Sequence, residues 1–245
     1  MPWGKFILNK FLFGVLAVLS IFLSIGMAHG QTEQQLKSDL QKKLGANAKV
    51  RSVSPTPVGG LYEVLVGNDV FYADSTGKYL IQGEIIELAT GKNITEQRQA
   101  DLNRIKWTDL SPTNAIKTVR GNGSRQLAIF SDPNCGYCKR LEKSLQQLDN
   151  VTIFTYLIPI LGPDSLQKSK QIWCATDPYK AYIDWMVSGI SPSGKTDCST
   201  PLDKNMAFAK SYGITGTPTL FFTDGSRFPG AVQITDIEKK FNSLK

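Results

Sequence analysis

Leu36, Leu40 and Leu44 recur every fourth residue through "TEQQLKSDLQKKLG", a spacing that stacks them on one face of a helix ending at Gly45. The hydrophobic period then drops towards two. The runs "KVRSVSP", "GLYEVLVG", "DVFYAD" and "KYLIQGEIIEL" read as four short strands, parted by turn residues at "PVGG", "GN" and "DSTGK". A helix followed by four strands predicts a small α+β unit with an antiparallel sheet over residues 31–92. A unit of about 60 residues buries little core, and an open sheet leaves strand edges unpaired, so this unit is expected to dimerise. A lone packed subdomain is the alternative.

The pattern changes again after residue 92. "ITEQRQADLNRIKWTDL" predicts a helix capped by Thr95 and ending before "SPTN", which makes residues 93–112 a connector helix or an ordinary surface helix. "PTNAIKTVRGNGSRQ" reads as a short helix and a glycine-rich turn. From there to residue 245, strands and helices alternate: "QLAIF", a helix to about Leu148, then "VTIFTYLIPI", a βαβ unit that calls for parallel pairing. Two helical runs follow, "SLQKSKQIWCAT" and "PYKAYIDWMVSG", whose Trp173 and Trp185 are assigned to the core. A helix "DKNMAFAKSYG", a strand "TLFFTDG", a return "RFPG" and a closing helix "TDIEKKFNSLK" complete the chain.

The first thirty residues differ from all of this. Lys5 and Lys10 precede an uncharged, mostly apolar run from Phe11 to Met27, and "AHG" supplies small residues. That is the pattern of a secretory signal peptide cleaved after Ala28 or Gly30; a retained membrane anchor is the alternative. Without residues 1–30 the 28 Lys and Arg fall by two, leaving 26 against 21 Asp and Glu, a net charge of +5. No Lys/Arg block concentrates that charge, so it reads as solubility and not as a nucleic-acid footprint. Removal of the segment also removes His29, the only histidine, which excludes Ser-His and Cys-His catalysis and histidine-containing metal sites. No metal and no cofactor is expected.

Export makes the four cysteines informative, because an even number in an oxidising compartment is available for two disulfides. They form unlike pairs. Cys135 and Cys138 make a C-x-x-C in "SDPNCGYCKR" where a strand meets a helix. Free backbone N–H groups and the positive helix end should favour a thiolate on Cys135, the exposed and attacking sulfur, while Cys138, one turn further in, resolves the mixed disulfide. Gly136 and Tyr137 keep the turn compact and place a ring beside the sulfur. Asp132 is expected to be a turn or cap residue. "YGITGTPTLFF" sets Thr217-Pro218 directly before an apolar strand, where a cis bond would suit and the loop would face the cysteine pair to bind an extended substrate chain. Cys174 and Cys198 have no neighbouring thiol to resolve an attack, so they read as a structural disulfide, with a redox role as the minority alternative. Strand, cysteine pair, helix, helical insertion and Thr-Pro strand together form a thioredoxin-like pattern.

"FSDPNCGYCKRLE", "GITGTPTLFF", the Cys174/Cys198 pair and the exported N-terminal unit resemble the periplasmic disulfide isomerases of the DsbC/DsbG type, and "CGYC" with Thr before the proline is most similar to the DsbC branch. The resemblance implies an α+β, cystatin-like dimerisation domain over 31–92, a linker helix over 93–112, and an α/β thioredoxin-like catalytic domain with a helical insertion over 113–245. It implies a V-shaped homodimer with an apolar cleft, in which Cys135 attacks non-native disulfides in misoxidised periplasmic proteins, Cys138 resolves, and Cys174 pairs with Cys198. It also implies that a membrane reductase of the DsbD type keeps the active pair reduced. Thioredoxins carry a buried acid six residues before the first active cysteine; here that position is Ile129. A net dithiol oxidase and a holdase chaperone with only structural disulfides are the rival readings.

Overall fold

The computed structural model describes residues 32–244, so the expected signal segment lies outside the described residues. The chain divides between Gly83 and Glu84 into two compact units.

In the first unit, helix α1 (Glu33–Leu44) starts at a capping box: Thr32 Oγ1 accepts from Gln35 N–H, and the Gln35 side chain accepts from Thr32 N–H. The predicted stripe faces inward. Leu36 and Leu40 are buried against one face of an antiparallel sheet of strands β1 (Val50–Pro55), β2 (Leu61–Val66), β3 (Asp69–Asp74) and β4 (Leu80–Ile81), joined in that order. Val50, Val53, Val64 and Ala73 supply the sheet side of this core. Gly77 turns the chain at φ +61°, and a Cβ there would meet Leu36 Cδ1 at 2.7 Å, so the turn after β3 lies tight against the helix.

The run "KYLIQGEIIEL" departs from its pattern. It breaks at Gly83 instead of forming one strand: Leu80–Ile81 pairs with β3, whereas β5 (Ile86–Glu87) pairs with β6 (Lys92–Asn93) in a separate two-stranded ribbon of the second unit. Alternation alone cannot tell one long strand from two short ones with different partners.

Helix α2 (Ile94–Leu102) follows the ribbon. Its cap is Asn93, whose side chain accepts from Glu96 N–H, and not Thr95, whose hydroxyl accepts from Ile85 N–H. The helix is also shorter than predicted. It ends because the next residues bind elsewhere in this unit: Arg104 pairs with Asp101 and Asp224, and Ile105 N–H donates to Gly225 O at 3.0 Å. Gly225, at φ +81°, permits this approach, since a Cβ would sit 2.0 Å from Ile105 O.

Beyond it lie β7 (Ile116–Arg120), β8 (Arg125–Ser131), α3 (Gly136–Leu145), β9 (Val151–Leu157), α4 (Pro163–Trp173), α5 (Pro178–Ser188), α6 (Leu202–Ser211), β10 (Thr219–Phe222), β11 (Arg227–Pro229) and α7 (Ile234–Ser243). The five strands form one sheet in the order β11-β10-β8-β9-β7, with β8 and β9 parallel and the other pairs antiparallel. Strand β7 replaces part of the predicted short helix and turn. It is a five-residue edge strand whose exposed Lys117 and Val119 blur the alternation. Strand β8 is buried on both faces. Leu127 and Ile129 pack towards α3 and α7, whereas Ala128 and Phe130 pack towards α6 and the segment around Ile105. A third cluster, with Ile172, Tyr182, Met186 and Leu202, lays the α4–α5 insertion over Cys135 and Cys138. This is a thioredoxin-like sheet with a helical insertion. Trp173 and Trp185 are half-buried at its margin, contrary to their assignment to the core; Tyr182 takes that place.

Candidate active site

Strand β8 delivers the chain into the site at Ser131, and Asp132 fixes the turn that follows. Its carboxylate is fully buried and accepts from Asn134 N–H (2.8 Å), Leu161 N–H (2.9 Å) and Ser165 Oγ (2.7 Å). Asp132 is thus a turn residue, as its sequence position indicates, and also a clamp between the cysteine turn and the segment after β9. Trp185 braces the same turn by donating Nε1–H to Pro133 O at 2.6 Å. Lys139 lies 3.6 Å from the Trp185 ring centroid, and burial followed by the nearby Lys168 and Lys143 charges lowers its pKa.

Cys135 is the N-cap of α3. Its Sγ accepts from Cys138 N–H at 3.4 Å and donates to Thr217 O at 3.2 Å, so two main-chain groups hold it from opposite sides. The Thr217-Pro218 bond is cis. Both thiols are free. Cys135 is 7% exposed and Cys138 1%, so the expected exposed sulfur is in fact buried at the residue level, because the Thr217 loop and the insertion close around it. Gly136 and Tyr137 point outward, the tyrosine 60% exposed. Burial pushes the Cys138 thiol up to about 12, with the neighbouring Cys135 charge adding to the rise; hydrogen bonds from the Ser131 side chain, the Asp132 backbone and the Thr217 side chain oppose it. Cys174 and Cys198 stand apart from this pair, joined by a disulfide that links the end of α4 to the loop before α6.

The sequence reading passed over one group. Glu142 lies on the buried face of α3, with Cys138, Leu141 and Leu145. Tyr182 Oη donates to its Oε1 at 2.9 Å, and Ser131 Oγ lies 2.9 Å from the same Oη. Burial pushes the Glu142 carboxyl up to about 7, against the Tyr182 hydrogen bond and the Arg120 charge. The signal was present in the spacing: residues 138, 141, 142 and 145 form an apolar stripe that contains one carboxylate.

Residues 112–245 match the model of the thioredoxin-like domain, and residues 27–96 match that of the disulfide bond isomerase N-terminal domain. The probable thiol:disulfide interchange protein DsbC of Bordetella pertussis is 41% identical over 78% of this chain and 68% of its own length. The chain belongs to the DsbC family. Its α+β N-terminal unit is the family's N-terminal domain, and its activity is that of a thiol-disulfide oxidoreductase and isomerase. The Escherichia coli K12 thiol:disulfide interchange protein DsbC is 25% identical over 89% of both chains. A crystal structure of a disulfide interchange protein from Neisseria gonorrhoeae matches with 38% identity and a TM-score of 0.52, over 55% of this chain and 97% of that one. The family therefore spans both units of the chain, the second of which carries all four cysteines.

Proposed function

We propose that this DsbC-family protein is exported to the periplasm and reduces and isomerises non-native disulfides there, with Cys135 attacking and Cys138 resolving. The observation that carries this reading is the setting of Cys135 Sγ at a helix N-terminus, between Cys138 N–H and the Thr217 carbonyl, with the second thiol one turn behind. Negative charge developing on that sulfur is met by a backbone N–H and the helix dipole.

The Cys135 thiolate attacks one sulfur of a substrate disulfide, forming a mixed disulfide and releasing the other substrate sulfur as a thiolate. In isomerisation a different substrate thiolate attacks the substrate sulfur of that bond and returns Cys135 as a thiolate. In reduction Cys138 attacks Cys135 Sγ, the substrate leaves as a thiolate, and a membrane dithiol reductase of the DsbD type reduces the Cys135–Cys138 disulfide. Thr217 and Pro218 bind the substrate main chain beside Cys135. Gly136 and Tyr137 form the outer lip, and Cys174–Cys198 is a structural staple. Exposed Tyr137, Leu161 and Leu166 lie on the segments that Asp132 and Asn134 tie together, an apolar surface suited to an unfolded chain. Residues 31–92, of which 84–92 belong to the second compact unit, serve as the dimerisation domain, and 93–112, tied to Asp224 and Gly225 through Arg104 and Ile105, lead into the catalytic domain, 113–245. Short, exposed Leu80–Ile81 at one sheet edge supports that assignment.

The test is reactivation of a substrate with scrambled disulfides. Cys138→Ser should accumulate a mixed disulfide on Cys135, and Cys135→Ser should lose reactivation. Reactivation that survives loss of both cysteines would mean a holdase, and a monomer by sedimentation would remove the dimerisation assignment.

A further inference from the structure

Cys138 must lose a proton before it can attack Cys135, yet it is buried and its surroundings disfavour the thiolate. The sequence offers no buried acid at position 129 to take that proton. The only carboxyl on the buried face of α3 is Glu142, one turn beyond Cys138, and two buried hydroxyls, of Tyr182 and Ser131, run from it to the strand end that leads into the cysteine turn. Cys138 packs in one buried cluster with Tyr182, and the Ser131 hydroxyl counters the rise of its pKa; Ser131 Oγ lies 2.9 Å from Tyr182 Oη, and Tyr182 Oη donates to Glu142 Oε1 at 2.9 Å. All four residues are at most 4% exposed.

We infer that Glu142 is the proton acceptor and donor for Cys138, working through Ser131 and Tyr182. The inference rests on Cys138 being the resolving cysteine. In the mixed disulfide the Cys138 S–H proton passes to Ser131 Oγ, the Ser131 proton to Tyr182 Oη, and the Tyr182 proton to Glu142 Oε1. One S–H bond breaks and one carboxyl O–H bond forms, with each hydroxyl regaining the proton it passed on. The Cys138 thiolate then attacks Cys135 Sγ, and the substrate sulfur leaves with the electron pair and is protonated by water. When a dithiol reductant attacks Cys135, Cys138 leaves as a thiolate and the chain runs backwards, returning the proton from Glu142.

The surroundings suit both directions. The charged and titratable groups facing Glu142 are Arg120 on β7, Tyr182 on α5 and, through Tyr182, Cys138 on α3. Arg120 is anchored by hydrogen bonds to Leu145 O, Gln146 Oε1 and Tyr179 Oη, and its charge favours the carboxylate. Burial opposes it, and the balance leaves the carboxyl titrating near neutrality, where an acid-base group gives and takes a proton with comparable ease. Glu142 touches neither sulfur; it is a positioning and relay residue.

The test uses the reduced full-length protein and a small aromatic disulfide whose released thiolate absorbs visible light. The first release reports attack by Cys135 and the second reports resolution by Cys138. In the unchanged protein the second release should accelerate with rising pH, with an inflection near 7. Glu142→Gln should leave the first release within about twofold, slow the second by at least about tenfold at neutral pH and abolish the inflection. Tyr182→Phe cuts the chain while keeping the carboxyl and should do the same, and it decides the matter if the Gln variant does not fold. Retention of the inflection in a folded variant, or equal slowing of both releases, overturns the inference and leaves Cys135 and Cys138 in their roles. Absence of the first release in the unchanged protein overturns both.

Discussion

Two pairs of cysteines share one domain and meet opposite fates. Cys174 and Cys198 are joined and tie the end of α4 to a polar loop, with no acid, relay or helix N-terminus among the hydrogen bonds of either residue. Cys135 and Cys138 are free, with main-chain groups on Cys135 Sγ and, in the interior that also holds Cys138, the hydrogen-bonded set of Ser131, Tyr182 and Glu142. The residue type is constant, so the difference lies in what the backbone offers. A sulfur at a helix start is met by unpaired N–H groups, and a sulfur at a helix end is not.

The sharpest way to break that contrast is to exchange the consequences. Cys135→Ser should lower reactivation of a scrambled substrate by more than about 1000-fold while leaving the melting temperature within a few degrees. Replacing Cys174 and Cys198 together by serine should do the reverse. Closing a loop with a sequence separation of 24 is worth about 3 kcal/mol, read by urea denaturation, with activity kept within a few-fold. Loss of activity in the second variant, with the fold intact, would collapse the distinction.

Much of this was readable in the chain. The Leu36/Leu40 stripe, the βαβ unit and the helix-start setting of Cys135 and Cys138 follow from local spacing, because each depends on residues a turn or a strand apart; the Cys174–Cys198 pair, with a sequence separation of 24, was legible only because neither cysteine has a thiol neighbour. What spacing hides is partnership across the fold. Tyr182 is 40 residues from Glu142, and only packing shows that they meet. Strand β7 escaped notice because it is short and on an edge, and the cap moved from Thr95 to Asn93 because Ile85 N–H occupies the threonine hydroxyl. Glu142 itself interrupts an apolar stripe, and a charge in that position asks for a partner.

That buried carboxyl gives the next test. Its pKa rises from 4.5 to about 7 on folding, so the native state holds a proton that the unfolded state gives up across that interval. Stability from this group is full below about pH 4.5 and is lost as pH rises through 7. Glu142→Gln should therefore stabilise the protein by on the order of 2 kcal/mol at pH 8 and leave it nearly unchanged at pH 4, by urea denaturation at each pH. An equal effect at both values would mean that the carboxyl does not titrate in this range. The smallest effect is expected at the brace: Trp185→Phe removes the bond to Pro133 O and should cost about 1 kcal/mol, with a modest change in Cys135 alkylation rate.

Both groups that touch Cys135 Sγ belong to the main chain, one from residue 138 and one from residue 217. A scan that swaps side chains one at a time would leave both contacts standing and score them as unimportant. Their worth becomes measurable only by editing the polymer itself, with an ester in place of the amide that carries the Cys138 N–H. For the same reason the exposed Tyr137 ring can be exchanged without disturbing either contact, while the cradle for the sulfur is set by the backbone.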